Sequence, residues 1–164
     1  MSSGIASLGL PGLIATAGGV GKLTPKAPGT VGSLLACALA LFIPEAARLA
    51  LIGILCVVGT WAAHVYAAQR GLTDPQEVVI DEVAGQLLAM AGHITSPAAG
   101  GLILPCFILF RIFDIIKPWP VCACERAPGG VGIMLDDIAA GILANATLIM
   151  FRYFFLGGLP GWLM

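Results

Sequence analysis

From Leu49 to Gln69 the chain carries no Asp, Glu, Lys or Arg, and Arg48 and Arg70 stand at its two borders. A helix of about 20 apolar residues crosses the hydrocarbon core of a bilayer. A backbone placed in lipid must satisfy its own hydrogen bonds, which leaves helix as the solution for a single segment. The remainder of the chain agrees. Its 164 residues are 59% hydrophobic and 10% charged, where soluble domains carry roughly a quarter charged residues. The expectation is an all-α fold: a polytopic membrane helical bundle of about five to six helices, several spanning and some short or re-entrant, in one domain over residues 1–164.

The other uncharged intervals give the remaining helices. Ala27 to Pro44 holds one from Thr30 to Ile43, short for a bilayer. Val83 to Phe110 is uncharged throughout, but "SPAAGG" (Ser96 to Gly101) divides it in two. The first of these helices begins near Asp81. The second ends at Lys117, because Pro118 and Pro120 cannot continue it. "APGGVG" (Ala127 to Gly132) reads as a loop and Ile133 to Leu156 as the last helix. An apolar helix over roughly Ile5 to Thr16 lies on or in the membrane. It lacks a basic leading region, so it is not expected to be a cleaved signal peptide.

If the spans alternate, the loops Gly18–Gly29, Arg70–Ile80 and Pro118–Gly132 share one side. Lys22, Lys26, Arg70, Arg111, Lys117 and Arg126 lie there or at its edge, and only Arg48 and Arg152 lie towards the other. Six cations against two place that side in the cytoplasm.

The carboxylates gather on the same side. The chain has nine, and five sit at helix ends or in apolar runs: Asp81 and Glu82 in "VVIDEVAGQLLAM", Asp114 in "FRIFDIIKPWP", Asp136 and Asp137 in "GIMLDDIAAGIL". A charge in a membrane helix costs about 2.5–3.5 kcal/mol on insertion scales, so these five must face one another, cations or water. Arg111 and Lys117 offset two of them. A divalent cation is the natural complement to the rest, and all-oxygen ligation favours Mg²⁺. The helical spacing supports convergence: Asp81 stacks over Gly85, Asp137 over Gly141 and Ala140 over Ala144, and small residues let helices approach closely. The plain alternative is a structural ion-pair network within a bundle.

"GGVGKLTPKAPGTVGSLLA" adds an anion site. Lys26, Gly29, Thr30, Gly32 and Ser33 stand at a helix start, where free amides and close backbone approach attract phosphate. It is not a Walker A loop, since Leu23 follows Lys22 and Thr16 stands where the first glycine belongs. The plain alternative there is a turn with a Ser or Thr cap. His64 and His93 fall outside the motifs and read as packing or interfacial residues, so no zinc site is expected. The five cysteines lack ligand spacing and read as small buried hydrophobes. Cys122 and Cys124 are not followed by the arginine of a cysteine-phosphatase loop. A net charge of -1 without basic runs gives no reason to expect nucleic acid.

In order and spacing, "APGTVGSLLA", "IDEVAG", "FRIFDIIKPWP" and "GGVGIMLDDIAAG" resemble the phosphatidylglycerophosphatase A family, over roughly residues 13 to 145. The resemblance implies a multi-pass enzyme of the bacterial inner membrane, with its active site facing the cytoplasm. It implies Mg²⁺-dependent hydrolysis of the terminal phosphomonoester of phosphatidylglycerophosphate to phosphatidylglycerol and phosphate, and a bundle built round a central helix. The family's acidic positions fall on Asp81, Glu82, Asp114, Asp136 and Asp137, its basic positions on Arg111 and Lys117, and its turn on Gly29, Thr30, Gly32 and Ser33. On this reading the acids hold metal while Arg111 and Lys117 clamp phosphate. Direct attack by water and an aspartyl-phosphate on Asp114 or Asp136 both remain open. An ion or proton transporter is the rival class, because intramembrane carboxylates also mark ion pathways. Against it, the acids cluster at one face, none lies in Leu49–Gln69, and no inverted repeat is visible. A non-catalytic scaffold leaves the carboxylate cost unexplained.

Overall fold

The computed structural model describes residues 8–94 and 97–156. Among these there are helices and no strands. In chain order they are α1 (Leu10–Ala15), α2 (Pro28–Phe42), α3 (Glu45–Arg70), α4 (Ile80–Ala89), α5 (Ile103–Ile116), α6 (Val121–Cys124) and α7 (Gly130–Phe151). Short 3₁₀ turns cover Val20–Lys22 and Pro97–Leu102, and a π turn covers Arg152–Leu156. Among the described residues seven helices stand where about five to six were expected, the single turn α6 being unforeseen. Among the described residues three segments are long and apolar enough to cross a membrane: Glu45–Arg70, Ala99–Ile116 and Gly130–Phe155.

The punctuation follows local chemistry. Pro28 opens α2 in the first turn, where its missing N–H costs nothing. Gly71, at φ 65°, closes α3 in the left-handed conformation. Lys117 closes α5 at φ 47°, a conformation uncommon for a residue with a Cβ, and Pro118 follows at once.

Several helices depart from the sequence reading, α3 among them, which starts at Glu45 rather than Leu49. The helix expected from Ile5 starts at Leu10, set by Gly9 and by Pro11 in its first turn, and residues 5–7 lie outside the described ones. The helix expected from Thr30 starts at Pro28. The last helix begins at Gly130 rather than Ile133, because Gly130 seats directly on the α3 backbone at Thr60 and His64. The helix starting near Asp81 is only ten residues long and almost wholly buried. It is the central helix of the bundle, packed by α2, α3, α5 and α7.

A helix that stops inside a bundle leaves its last carbonyls to be satisfied by protein. Here Asn145 of α7 donates to the carbonyls of Leu88 (3.0 Å) and Ala91 (2.8 Å). Arg48, 1% exposed, donates to Ile94 (2.6 Å) and Ala40 (3.2 Å) and pairs with Glu45, which in turn accepts from the Gly92 amide at 2.9 Å. Arg48 thus ties α2, α3 and the segment after α4 together at the end of the bundle far from the acids. Arg48→Ala would leave these groups buried and unpaired. The expected result is a loss of about 3–5 kcal/mol, read as lowered thermal stability in detergent; an unchanged melting temperature would show the clamp to be dispensable.

The cysteines are all free. Cys37 and Cys106 are buried as expected, and the other three are half-buried. His93 is buried with Nδ1 3.1 Å from Arg152, while His64 is exposed.

Candidate active site

The three loops expected on one side do meet at one end of the bundle. The first two of them enclose a cavity of about 360 Å³ walled by the start of α2, the α3–α4 loop and the ends of α4, α5 and α7 that face it, and the third borders an adjoining space with Asp74 and Asp136. Asp81, Glu82, Arg111, Asp114, Lys117, Asp136 and Asp137 all line it, as do Lys26, Gly29 and Thr30. The size suits a small polar group. Gly32 and Ser33, expected in the phosphate turn, are not part of this lining. Gly32 packs under Val79, and the Ser33 hydroxyl donates to the Gly29 carbonyl at 3.0 Å behind the wall. They fall away because α2 begins two residues earlier than expected, which brings Gly29 and Thr30, not Gly32 and Ser33, to the open end.

Two helices carry the paired acids in the same local arrangement. Asp81 accepts from the backbone N–H of Glu82 at 3.0 Å, and Asp136 accepts from that of Asp137 at 3.0 Å. The helices cross where both are smallest. A Cβ on Gly85 would lie 2.5 Å from the Asp137 carbonyl oxygen, and one on Gly141 would lie 3.1 Å from the Gly85 carbonyl carbon. This close approach sets the acids of α4 against those of α7. The start of α4 is further pinned by the Val79 amide donating to the Ala15 carbonyl at 3.0 Å.

The five acids then divide into two groups. Asp114 pairs with Arg111 at 2.7 Å, and Asp136 pairs with Lys117 at 2.7 Å. Lys117 also holds Glu125 at 2.8 Å. Burial works against the lysine's charge, but the hydrogen bonds to Asp136 and Glu125 prevail and hold it above the ordinary lysine range. Asp81, Glu82 and Asp137 are left together, each offering a carboxylate oxygen within 4.8 Å of the others. Among the described residues no cation pairs with these three. The Glu82 Oε2 is buried without a hydrogen-bond partner. Burial pushes Asp81 up to about 6, and burial with the charges of Asp81 and Asp137 drives Glu82 well above the usual glutamate range. Three close carboxylates, Asp81 and Asp137 buried and Glu82 half-buried, with no cation paired to them among the described residues, form a donor set suited to a hard divalent cation.

The wall at the start of α2, against which the Glu82 carboxylate packs, is suited to an anion. α2 has no side-chain cap, and its opening residues Ala27 to Thr30 face the cavity with Lys26 at the rim. The Gly29 and Thr30 amides precede the first residue able to bond back within the helix, so both are free to donate to a ligand. Gly29 also leaves room for the Glu82 carboxylate and for Arg111, whose Nη1 would lie 3.2 Å from a Cβ there. Arg111 reaches the Ser33 hydroxyl at 3.5 Å, which fixes its guanidinium beside the helix start.

Asp74 and Gln76 of the α3–α4 loop also line the cavity, and Glu125 braces Lys117. The sequence reading passed over all three. The Asp74–Pro75 pair, in a loop already assigned to the acidic side, was the available signal.

Comparison with known proteins agrees with this geometry. The sequence profile of the phosphatidylglycerophosphatase A family matches residues 13–152. Phosphatidylglycerophosphatase A of Escherichia coli K12 is 34% identical over 134 residues, covering 77% of this chain and 74% of the relative. The Haemophilus influenzae protein of the same name is 33% identical, covering 88% and 90%. A Bacteroides thetaiotaomicron protein, provisionally named a phosphatidylinositol-3-phosphatase, is 38% identical, covering 88% and 94%. No solved structure gives a significant match. With its four motifs assembled round one acidic cavity and the family profile running through all of them, this chain belongs to the phosphatidylglycerophosphatase A family.

Proposed function

We propose that this protein is a Mg²⁺-dependent lipid phosphatase of the bacterial inner membrane that hydrolyses phosphatidylglycerophosphate to phosphatidylglycerol and phosphate, with its cavity open to the cytoplasm. The observation that carries the metal-dependent reading is the trio Asp81, Glu82 and Asp137, which no cation pairs among the described residues, set beside an uncapped helix start. The distribution of cations supports the orientation, since Lys26, Arg70, Arg111, Lys117 and Arg126 belong to the loops and helix ends on the cavity side.

In this reading Asp81, Glu82 and Asp137 hold the metal. When bound, Mg²⁺ neutralises charge on the phosphoryl oxygens and acidifies water. The amides of Gly29 and Thr30 and the ammonium of Lys26 receive the phosphate oxygens. Arg111 and Lys117 contribute N–H donors left over from their pairs with Asp114 and Asp136. Those pairs hold the two cations in place before substrate arrives, so little reorganisation accompanies the loose phosphoryl transition state. Asp114 and Asp136 remain the candidates to take a proton from the attacking water or to act as nucleophile.

The test is phosphate release from phosphatidylglycerophosphate in vesicles by the purified protein, with EDTA and after Mg²⁺ is restored. Release should fall to background with the chelator and return with the ion. Release that ignores EDTA would refute the metal, and no release under any condition would refute the activity. A parallel assay on phosphatidylinositol 3-phosphate addresses the substrate carried in the name of the Bacteroides relative.

A further inference from the structure

Arg111 borders two spaces. One is the acidic cavity. The other is a shallow, open groove of about 370 Å³ along the outer side of α5, lined by Phe107, Ile108, Arg111, Ile112, Ile115 and Ile116 of that helix alone. These positions recur at steps of three and four, so they form one stripe of the helix. Arg111 is the single charge on that stripe. Ile115 is 70% exposed and Ile116 69%. From Phe107 to Ile116 the stripe runs about 14 Å at 1.5 Å per residue, near half the ~30 Å hydrocarbon core and so about the depth of one leaflet. A molecule fitting both spaces must be apolar along α5 and anionic where it reaches Arg111.

We infer that the α5 groove holds one acyl chain of the lipid whose phosphate enters the cavity, with Arg111 at the junction of chain and headgroup. This rests on the reading of the protein as a lipid phosphatase. The groove lets the phosphate reach the acids while the chain stays in apolar surroundings, so the lipid need not leave the bilayer. A second apolar groove, of about 410 Å³ and lined by Leu49, Leu88, Ile142 and Ile149 among others, shares no residue with the cavity and lies towards the far end of the bundle. Continuity with the phosphate site is what singles out α5.

Two measurements decide it. Phosphatidylglycerophosphate carrying a diazirine in one acyl chain is irradiated with the intact protein in vesicles, and the adducts are mapped by mass spectrometry. Adducts within 107–116 are expected, suppressed by excess unlabelled phosphatidylglycerophosphate and not by phosphatidylcholine. Adducts elsewhere, or adducts that both lipids suppress equally, would mean ordinary boundary lipid and overturn the inference. Second, Ile112→Trp should raise KM about tenfold with kcat within about twofold. Val57→Trp, on an exposed position of α3, should leave both unchanged, and equal effects of the two substitutions would also overturn it. Phosphate release by the unmodified protein, measured without light, tests the catalytic reading separately, because adduct position reports on the groove whatever the turnover.

Discussion

Asp137→Asn is expected to reduce phosphate release by at least about 10³-fold, a loss of about 4 kcal/mol of transition-state stabilisation, in a protein that still inserts and folds. Asp137 is 4% exposed, and its carboxylate converges with those of Asp81 and Glu82. Asparagine keeps the shape and the backbone bond from the Asp137 amide to Asp136. It removes one of three charges that a cation would balance, so affinity for the ion and field on the phosphate both fall. The same change relieves repulsion in the metal-free protein, and thermal stability without metal should therefore hold or rise. That pairing of lost turnover with preserved stability separates a ligand from a structural acid. The checks are phosphate release, the melting temperature in detergent, and Mn²⁺ binding followed by electron paramagnetic resonance. Turnover at the wild-type rate would remove Asp137 from the metal set.

The site was legible because ionised groups are expensive in apolar helices and therefore few. Asp81, Glu82, Asp114, Asp136 and Asp137 stand out of "VVIDEVAG", "FRIFDIIKPWP" and "GIMLDDIAAG" for that reason alone, and all five line one cavity. The end of α5 ahead of Pro118 was legible through backbone chemistry, whereas the start of α2 at Pro28 was expected two residues later. What could not be read was the partition of the acids. Asp114 is engaged by Arg111 one turn before it on α5, a pairing that the spacing of three allows, but the pairing of Asp136 with Lys117 follows from where α5 ends relative to α7. Nor does hydropathy show that the uncharged interval after Asp81 holds a ten-residue helix, because burial inside a bundle and burial in lipid select the same side chains. The device that permits so short a helix is Arg48 with Asn145, and it depends on tertiary contacts across 46 and 57 residues of chain. In sequence Arg48 is only a flanking charge.

The α4–α7 crossing gives the second large effect, and here helix propensity and packing predict opposite signs. In an exposed helix, alanine is favoured over glycine by about 1 kcal/mol. At Gly85 the Cβ would lie 2.5 Å from the carbonyl oxygen of Asp137 and 2.7 Å from the Phe110 ring. The first of these is backbone and cannot swing aside, so the helices must part. Overpacking of this kind costs about 1–3 kcal/mol, enough to cancel the propensity gain. The catalytic cost is expected to be larger, because the displaced backbone is that of a proposed ligand, and a shift of about 1 Å at a site can cost about 10²-fold in rate. Gly85→Ala should therefore lower kcat about 10²-fold while the protein still inserts, with weakened Mn²⁺ binding as the direct sign of separated carboxylates. Gly53→Ala, on α3, is the control: its Cβ would meet nothing within 4 Å, so it should keep wild-type activity and gain up to about 1 kcal/mol. If Gly85→Ala behaved like Gly53→Ala, close approach of α4 and α7 would not be what assembles the acids.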